Sequence, residues 1–235
     1  MRVLTLLIVV SFIAAPVLAQ TYVGGNAAQG TDMNTVPYGS IQEIDLRNYN
    51  AKIEHHYLDE NWTQGTIQVK GGQTITNFPI RYDLLNGLME IKADKEVKVL
   101  PKARIERFSL MNQDGTEQVY YTNLKSAEGV PVVGVFRVVE EGEQWILLNQ
   151  TTITIIPPTY NKVLDSGDEE EKKLLKQDYL FHNGTALVQT GGSRKKFVEQ
   201  FPAELQPRLL TFMKEARLGT KNELDLLQIA NFLNR

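Results

Sequence analysis

The sequence predicts a mainly β protein of the α+β class: an antiparallel sandwich or partly open, barrel-like sheet followed by a C-terminal helical pair. Short segments of alternating apolar and polar residues recur from about residue 63 to residue 190. Turns rich in glycine and asparagine separate these segments at close spacing, which indicates antiparallel strands rather than βαβ units. Clear helical periodicity is confined to the residues after 190.

Composition places the chain among ordinary globular proteins. Of its 235 residues, 42% are hydrophobic and 23% are charged, and the net charge is -3. Nucleic acids and anionic membranes attract concentrated positive charge, so neither is an expected partner. The sequence contains no cysteine. That excludes disulfides, thiolate nucleophiles and cysteine-based metal sites, and core burial must hold the fold together.

The N-terminus predicts export. Residues 1–19 combine a basic start, an apolar stretch shorter than the roughly 20 residues of a membrane span, and a small residue at the end. We expect a signal peptide cleaved between Ala19 and Gln20, leaving a protein that is periplasmic or at the cell surface. An uncleaved anchor is the alternative, and Pro16 argues against it by breaking the apolar run. No later segment is apolar enough to span a membrane.

Residues 20–50 are rich in glycine, asparagine, threonine and alanine. Such a segment buries too little apolar surface to offset its ordering entropy, so it is predicted to be a flexible leader. Between Ile41 and Leu46 the apolar residues are too few to choose between helix and strand.

The β-rich domain is predicted at residues 51–190. Its first strand carries Ile67 and Val69, and Gly71-Gly72 forms a tight turn because glycine adopts positive φ without a Cβ clash. In the second strand, Ile75 to Tyr82, Pro79 indicates an edge or a bulge since it cannot donate to the ladder.

Asn86-Gly87 is the strongest hairpin signal, joining a Tyr82–Leu85 strand to a Leu88–Lys92 strand. Further strands are predicted at Val97–Leu100, Ile105–Leu110, Gln118–Thr122, Val132–Val139, Gln144–Leu148 and Thr151–Ile156. The polar connection Tyr160–Gln177 is interpreted as a solvated loop running into a short helix. A last hairpin, Tyr179–Gln189, turns at Asn183-Gly184.

Residues 191–235 are predicted to be helices packed on the β domain. The first helix carries one apolar stripe, with Pro207 near its first turn. The stripe consists of Leu205, Leu209, Phe212, Met213 and Ala216. Thr220 to Glu223 is a capping-box pattern that begins the second helix.

Several of these segments, in this order, resemble a broad group of uncharacterised secreted proteins of Bacteroidetes-type bacteria. The segments are Gly65–Gly72, Ile80–Asp83, Met89–Lys92, Val99–Pro101, Ile105–Phe108, Val135–Val139, Asp178–Leu180, Lys195–Phe201, Glu223–Leu227 and Asn231–Asn234. The resemblance covers nearly all of the chain from about Tyr57. It implies a fold plan and an exported location, and no reaction or catalytic residue.

The histidines form no convincing metal site. His55 and His56, near Asp59 and Glu60, are neighbours that point in different directions on a strand or a helix, so surface structure is favoured over metal binding. His182 is predicted to be a packed or half-exposed hairpin residue rather than a catalytic base. The acidic run from Asp165 to Glu171 lacks the EF-hand pattern, so a solvated loop is favoured over a calcium loop.

No catalytic signature stands out. The Gly-x-Ser-x-Gly motif of many hydrolases is missing. The Gly191–Lys196 segment lacks Walker spacing, and Ser193 is better explained as a helix N-cap. Six aromatic residues could stack on sugars, although core filling is favoured because aromatic residues are common in strands. They are Trp62, Trp145, Tyr82, Tyr120, Tyr121 and Tyr160.

We therefore predict an exported, envelope-associated protein that is a non-enzymatic binding or structural module, with an envelope protein or glycan as its partner. No catalytic, cofactor or metal residue is assigned. The alternative is a glycan-active hydrolase of the envelope that uses paired carboxylates, because the required separation of the two carboxylates is spatial and leaves no mark in the sequence.

Overall fold

A computed structural model describes residues 42–43, 56–93, 96–160, 162 and 164–235. The predicted signal peptide, its cleavage site at Ala19, most of the leader and His55 lie outside the described residues. The described residues form one open antiparallel sheet with three helices near the C-terminus, as the predicted mainly β class requires. Among them, no helix is long and apolar enough to cross a membrane.

Among the described residues, ten strands follow a two-residue edge strand. The strands are β1 (Gln42–Glu43), β2 (Thr63–Val69), β3 (Thr74–Asp83), β4 (Leu88–Ala93), β5 (Glu96–Pro101), β6 (Ile105–Met111), β7 (Glu117–Lys125), β8 (Pro131–Glu140), β9 (Ile146–Ile156), β10 (Lys172–His182) and β11 (Leu187–Gln189). Their spatial order is β1-β5-β4-β3-β2-β6-β7-β8-β9-β10-β11. Most neighbours in the sheet are therefore neighbours in sequence, which suits short connections.

The predicted glycine turns are confirmed. Gly71 and Gly72 have φ of 105° and 92°, and Gly87 has φ of 64°. Residues other than glycine rarely adopt these angles. Leu84 and Leu85 belong to the turn before β4 rather than to a strand, and Asp83 organises that turn. One Asp83 oxygen accepts hydrogen bonds from the backbone N–H groups of Leu85 and Asn86 at 2.9 and 3.0 Å.

The first core lies on the strands β2 to β6. Fully buried apolar side chains there pack on one another and on Leu58 and Leu84 from the adjoining segments. Each such side chain contributes roughly 1.5–3 kcal/mol when removed from water. Tyr82, Phe108 and Tyr120 continue this core as a ladder of stacked rings, with centroid distances of 5.4 and 4.8 Å.

The second core joins the helices α1 (Arg194–Val198), α2 (Gln206–Glu215) and α3 (Glu223–Leu233) to the last strands. Trp145 lies 5.0 Å from Phe201, and Phe181 lies 5.9 Å from Phe197, measured between ring centroids. A third, smaller cluster contains Leu124, Phe136, Leu148 and Leu180. Leu148 and Leu180 alternate along their strands with the helix-facing Leu147 and Phe181, so this cluster lies on the opposite face.

Other local predictions were also wrong. The segment Lys172–Gln177 is the start of β10 rather than a helix, because it pairs along its length with Thr151–Ile156. The two strands predicted at Gln144–Leu148 and Thr151–Ile156 are one strand, β9. In the described residues 191–235, three α-helices form rather than two.

The predicted cap of α3 was wrong as well. The N-cap is Asn222, whose side chain accepts from the Leu224 N–H at 2.8 Å. The predicted cap, Thr220, instead donates to the Gly192 carbonyl.

Pro79 lies on an interior strand, and of the two predicted alternatives, an edge or a bulge, the bulge is present. The pairing of β2 with β3 shifts register between Gly65 and Ile67, and Asn77 has φ of 66°. A local irregularity of this kind accommodates a residue that cannot donate to the ladder.

Candidate functional site

One row of side chains crosses the centre of the sheet. Phe108, Tyr120, Arg137, Asn149 and Tyr179 lie directly opposite one another on β6, β7, β8, β9 and β10. Directly opposed residues of an antiparallel sheet point to the same face. The row therefore runs from the aromatic first core into a polar centre.

A cavity of about 700 Å³ opens over this polar centre. Its volume is within the roughly 300–1,000 Å³ typical of small-molecule sites. The walls come from the segment before β2, the β6–β7 turn and the sheet face. The lining residues are Leu58, Asp59, Asn61, Trp62, Thr63, Gln64, Leu110, Met111, Asn112, Gln113, Tyr120, Arg137, Asn149, Thr151 and Gln177.

Asn149 is the most unusual residue of the wall. It is only 1% exposed, and in the described part of the chain neither its amide nitrogen nor its amide oxygen makes a hydrogen bond of normal geometry. A weak hydrogen bond from the Asn149 NH₂ to the Tyr179 hydroxyl opposes the rise in the pKa of Tyr179, and it leaves the amide oxygen without a partner. An unsatisfied buried polar group costs roughly 1–3 kcal/mol.

The guanidinium of Arg137 is held at the cavity wall by α3. Its Nη2 lies 3.0 Å from Oε2 of Glu223, and the Tyr179 hydroxyl donates to the same oxygen at 2.6 Å. Tyr179 and Arg137 lower the pKa of Glu223 against the opposing effect of burial. Burial and the Glu223 carboxylate raise the pKa of Tyr179. Glu223, the first residue of α3, therefore connects this helix to the cavity wall.

Two charged lining residues, Arg137 and Asp59, are near enough to Tyr120 to influence its pKa. Burial raises the pKa of Tyr120, Arg137 opposes that change, and Asp59 adds to it. Among the described residues that line the cavity, Asp59 is the one carboxylate. The pair of carboxylates that the hydrolase alternative requires is therefore not assembled in this wall.

Trp62 is held at the cavity by an aromatic and cationic stack. The Arg81 guanidinium lies 3.9 Å from the Tyr57 ring centroid and 4.4 Å from the Trp62 ring centroid. Arg81 also pairs with buried Glu90 at 2.7 Å. Cation–π contacts of this kind, together with the ion pair, fix the segment before β2 against β3 and β4.

The six candidate aromatic residues have different places. Trp145 and Tyr82 are core residues, 2% exposed each. Tyr121 packs against the third cluster, and the Tyr160 hydroxyl donates to Asp165 at 2.6 Å. Trp62 and Tyr120 are the two that line the cavity. Core filling was the better interpretation for the first group, and the last two are available to a ligand.

His56, His182 and the acidic run are not among the residues that line the cavity. His56 donates its backbone N–H to Asp83 at 3.5 Å. His182 is 7% exposed with its Nε2 2.9 Å from the Lys125 carbonyl, the packed position predicted for it. In the acidic run, Asp168 pairs with Lys172 at 2.7 Å. In the described ranges, no three histidine, aspartate or glutamate side chains group as metal ligands.

Ser193 is the N-cap of α1, as predicted, and its hydroxyl accepts from the Lys196 N–H at 3.4 Å. The Gly191–Lys196 segment thus has a structural explanation. Sequence reasoning did not single out Arg137, Asn149, Gln177 or Glu223. The available signal was a polar residue at an inward position of an apolar strand, as at Asn149 within β9 and Arg137 within β8.

Comparisons with protein-family models, with curated proteins and with solved structures found no match to this chain. The resemblance to secreted Bacteroidetes-type proteins stays a prediction. The functional argument therefore depends on the geometry of the cavity.

Proposed function

We propose that this chain is an exported, envelope-associated protein that acts as a non-enzymatic binding module, and that the cavity over Asn149 is its binding site. Export is supported by the pattern of residues 1–19, with cleavage between Ala19 and Gln20. The protein would meet its ligand in the periplasm or at the cell surface.

The buried amide of Asn149 carries the proposal. A protein tolerates an unsatisfied buried amide at a cost in stability, and such exceptions concentrate at sites with a function. In this chain Asn149 is a lining residue of a cavity of ligand size, and its amide atoms are buried behind that wall. A bound ligand that forms hydrogen bonds with the Asn149 amide would offset this cost in stability.

The rest of the wall is suited to holding a ligand. Most of its lining residues carry amide or hydroxyl groups, and two of them, Trp62 and Tyr120, are aromatic. Arg137 is fixed by Glu223, and Trp62 by Arg81, before any ligand arrives. Such preorganisation reduces the entropy cost of binding.

The test compares the wild-type protein lacking residues 1–19 with its Asn149→Leu variant. Each is mixed with the low-molecular-mass fraction of the bacterial envelope, and thermal unfolding is followed. A ligand that binds only the folded state raises the unfolding temperature. We expect this rise for the wild type and a much smaller rise for Asn149→Leu.

The remote variant Thr122→Val serves as the control, because Thr122 lies outside the cavity wall and its hydroxyl donates to the Ile105 carbonyl at 2.8 Å. It should respond to the envelope fraction as the wild type does. An equal rise in all three proteins, or no rise in the wild type, would contradict binding at the cavity.

A further inference from the structure

We infer that the cavity binds a neutral saccharide, an inference that rests on the proposed binding function and gives its ligand a chemical class. The first support is the hydrogen-bonding character of the wall. Six of its lining residues are carboxamides, namely Asn61, Gln64, Asn112, Gln113, Asn149 and Gln177. Thr63 and Thr151 add hydroxyl groups.

Carboxamides match hydroxyl groups in both hydrogen-bonding roles. Each amide presents a donating NH₂ beside an accepting oxygen, and each sugar hydroxyl can donate and accept. The Asn149 oxygen lacks a partner, and its NH₂ makes no hydrogen bond of normal geometry, although it approaches the Tyr179 hydroxyl. Two adjacent hydroxyl groups of a sugar ring would satisfy both atoms at once, whereas a ligand with acceptors alone would leave the amide oxygen unpaired.

The charges of the wall favour a neutral ligand. Asp59 and Arg137 have opposite signs, and Arg137 is already paired with Glu223 at 3.0 Å. An anionic ligand would compete with Glu223 for the guanidinium and meet Asp59. A cationic ligand would meet Arg137. An uncharged ligand carries neither penalty.

Two fixed rings suit the apolar faces of a sugar. Tyr120 is stacked on Phe108 with an interplanar angle of 6°, and Trp62 carries Arg81 4.4 Å from its ring centroid. Both rings therefore hold their orientation without a ligand. Pyranose rings expose C–H groups that pack on aromatic surfaces, while their hydroxyl groups reach the amides around them.

A peptide is the competing ligand, because its backbone also donates and accepts. Peptides that bind β-sheets commonly add as a strand to an exposed edge. The edges of the described sheet are β1 and β11, whereas the cavity lies over interior strands, with lining residues on β2 and on β6 to β10. The position of the site therefore favours a compact ring over an extended chain.

The experiment titrates the protein lacking residues 1–19 by calorimetry with three sets of probes. These are neutral oligosaccharides of hexoses and N-acetylhexosamines, oligosaccharides that contain uronic acids, and short uncharged peptides. We expect binding within the neutral set. Asn149→Leu should weaken that binding by about tenfold or more, the effect of one to two lost hydrogen bonds.

Gln177→Leu provides a second variant, because Gln177 is exposed at the rim and its replacement leaves the core intact. It should weaken the same binding by a smaller factor. Gln200→Leu is the matched control away from the cavity, and it should bind as the wild type does.

The possible failures are distinguishable. If uronic-acid oligosaccharides or peptides bind and neutral saccharides do not, the saccharide inference is wrong, whereas the proposal of a binding module is still supported. The same holds if none of the three sets binds while the envelope fraction still stabilises the wild type. If the envelope fraction also has no effect, both proposals fail. Neutral saccharides that bind all variants equally would overturn the assignment to this cavity.

Discussion

Asn149 lies in the middle of β9, between Arg137 on β8 and Tyr179 on β10. Its neighbours in the row are each engaged with Glu223, while its own amide is unsatisfied. The free-energy cost of the unsatisfied amide comes from this one side chain, so one substitution can remove it. Stability and binding should therefore respond in opposite directions at this residue.

We predict that Asn149→Leu stabilises the free protein. Leucine has the same branched shape and number of side-chain heavy atoms, and it removes an amide that pays its full desolvation cost. The free energy of unfolding should rise by about 1 kcal/mol, measured by chemical denaturation. In the contrasting variant Thr122→Val, a buried hydroxyl with a partner is lost, and the free energy of unfolding should fall by about 1 kcal/mol. A loss of stability in both variants would show that the Asn149 amide is satisfied in the folded protein.

At the scale of elements, α3 is attached to the sheet at both of its ends. Glu223 at its start contacts Arg137 and Tyr179. Asn234, just after its end, accepts from the backbone N–H groups of Gln144 and Trp145, both at 2.9 Å. These two attachments hold α3 in place, and α3 in turn positions Arg137 in the cavity wall.

The C-terminal attachment can be removed by Asn234→Ala. The substitution deletes the acceptor for two backbone N–H groups and the donor to the Trp145 carbonyl at 2.8 Å. We expect a loss of about 2 kcal/mol in the free energy of unfolding, followed by tryptophan fluorescence. The control is Asn231→Ala, where an exposed side chain donates within its own helix to the Leu227 carbonyl. Its effect should stay within about 0.5 kcal/mol. Equal effects of the two changes would contradict a docking role for Asn234.

The N-terminal attachment predicts a dependence on pH. The Tyr179 hydroxyl and Arg137 lower the pKa of Glu223 in the folded protein. A carboxyl group with a lowered folded-state pKa stabilises the fold above its unfolded value of about 4.3, and this contribution is lost as the pH falls through the folded value. Wild type should therefore be more stable than Glu223→Gln at pH 7, and the difference should shrink in acid.

Unfolding of both proteins at pH 7 and in acid measures this difference. The side chain of Glu223 is 38% exposed, so solvent screening keeps the effect small. Glu199→Gln, which alters an exposed pair with Lys195 at 3.9 Å, is the control and should show little pH-dependent difference. A wild-type advantage over Glu223→Gln that stays constant with pH would show that the charge of Glu223 is not responsible.

At the scale of the whole molecule, short-range signals predicted the turns well. Gly71-Gly72, Asn86-Gly87 and Asn183-Gly184 each lie in a connection between strands, because their conformational needs are local. Lys172–Gln177 was misassigned for the opposite reason. Its charged residues are typical of a solvent-exposed helix. It is a strand because it pairs with the distant end of β9.

The site itself could not be predicted from local patterns. Arg137 and Glu223 are 86 positions apart in sequence, and they meet because α3 packs on the sheet face beside β8. Whether the strands form one open sheet or two stacked sheets also depends on long-range pairing. The polar residues within β8 and β9 were visible in the sequence, whereas the cavity over them required the completed fold.

The most direct test of the central claim is the nuclear magnetic resonance signal of the Asn149 side-chain amide, assigned by its absence in Asn149→Leu. The labelled protein, without residues 1–19, is titrated with the low-molecular-mass envelope fraction and then with neutral oligosaccharides. We predict shifts of this amide and of the backbone signals of Tyr120 and Thr151, with Val188 in the second core unchanged. An Asn149 signal that stays fixed while the protein binds a ligand elsewhere, or while nothing binds, would contradict the cavity as the functional site.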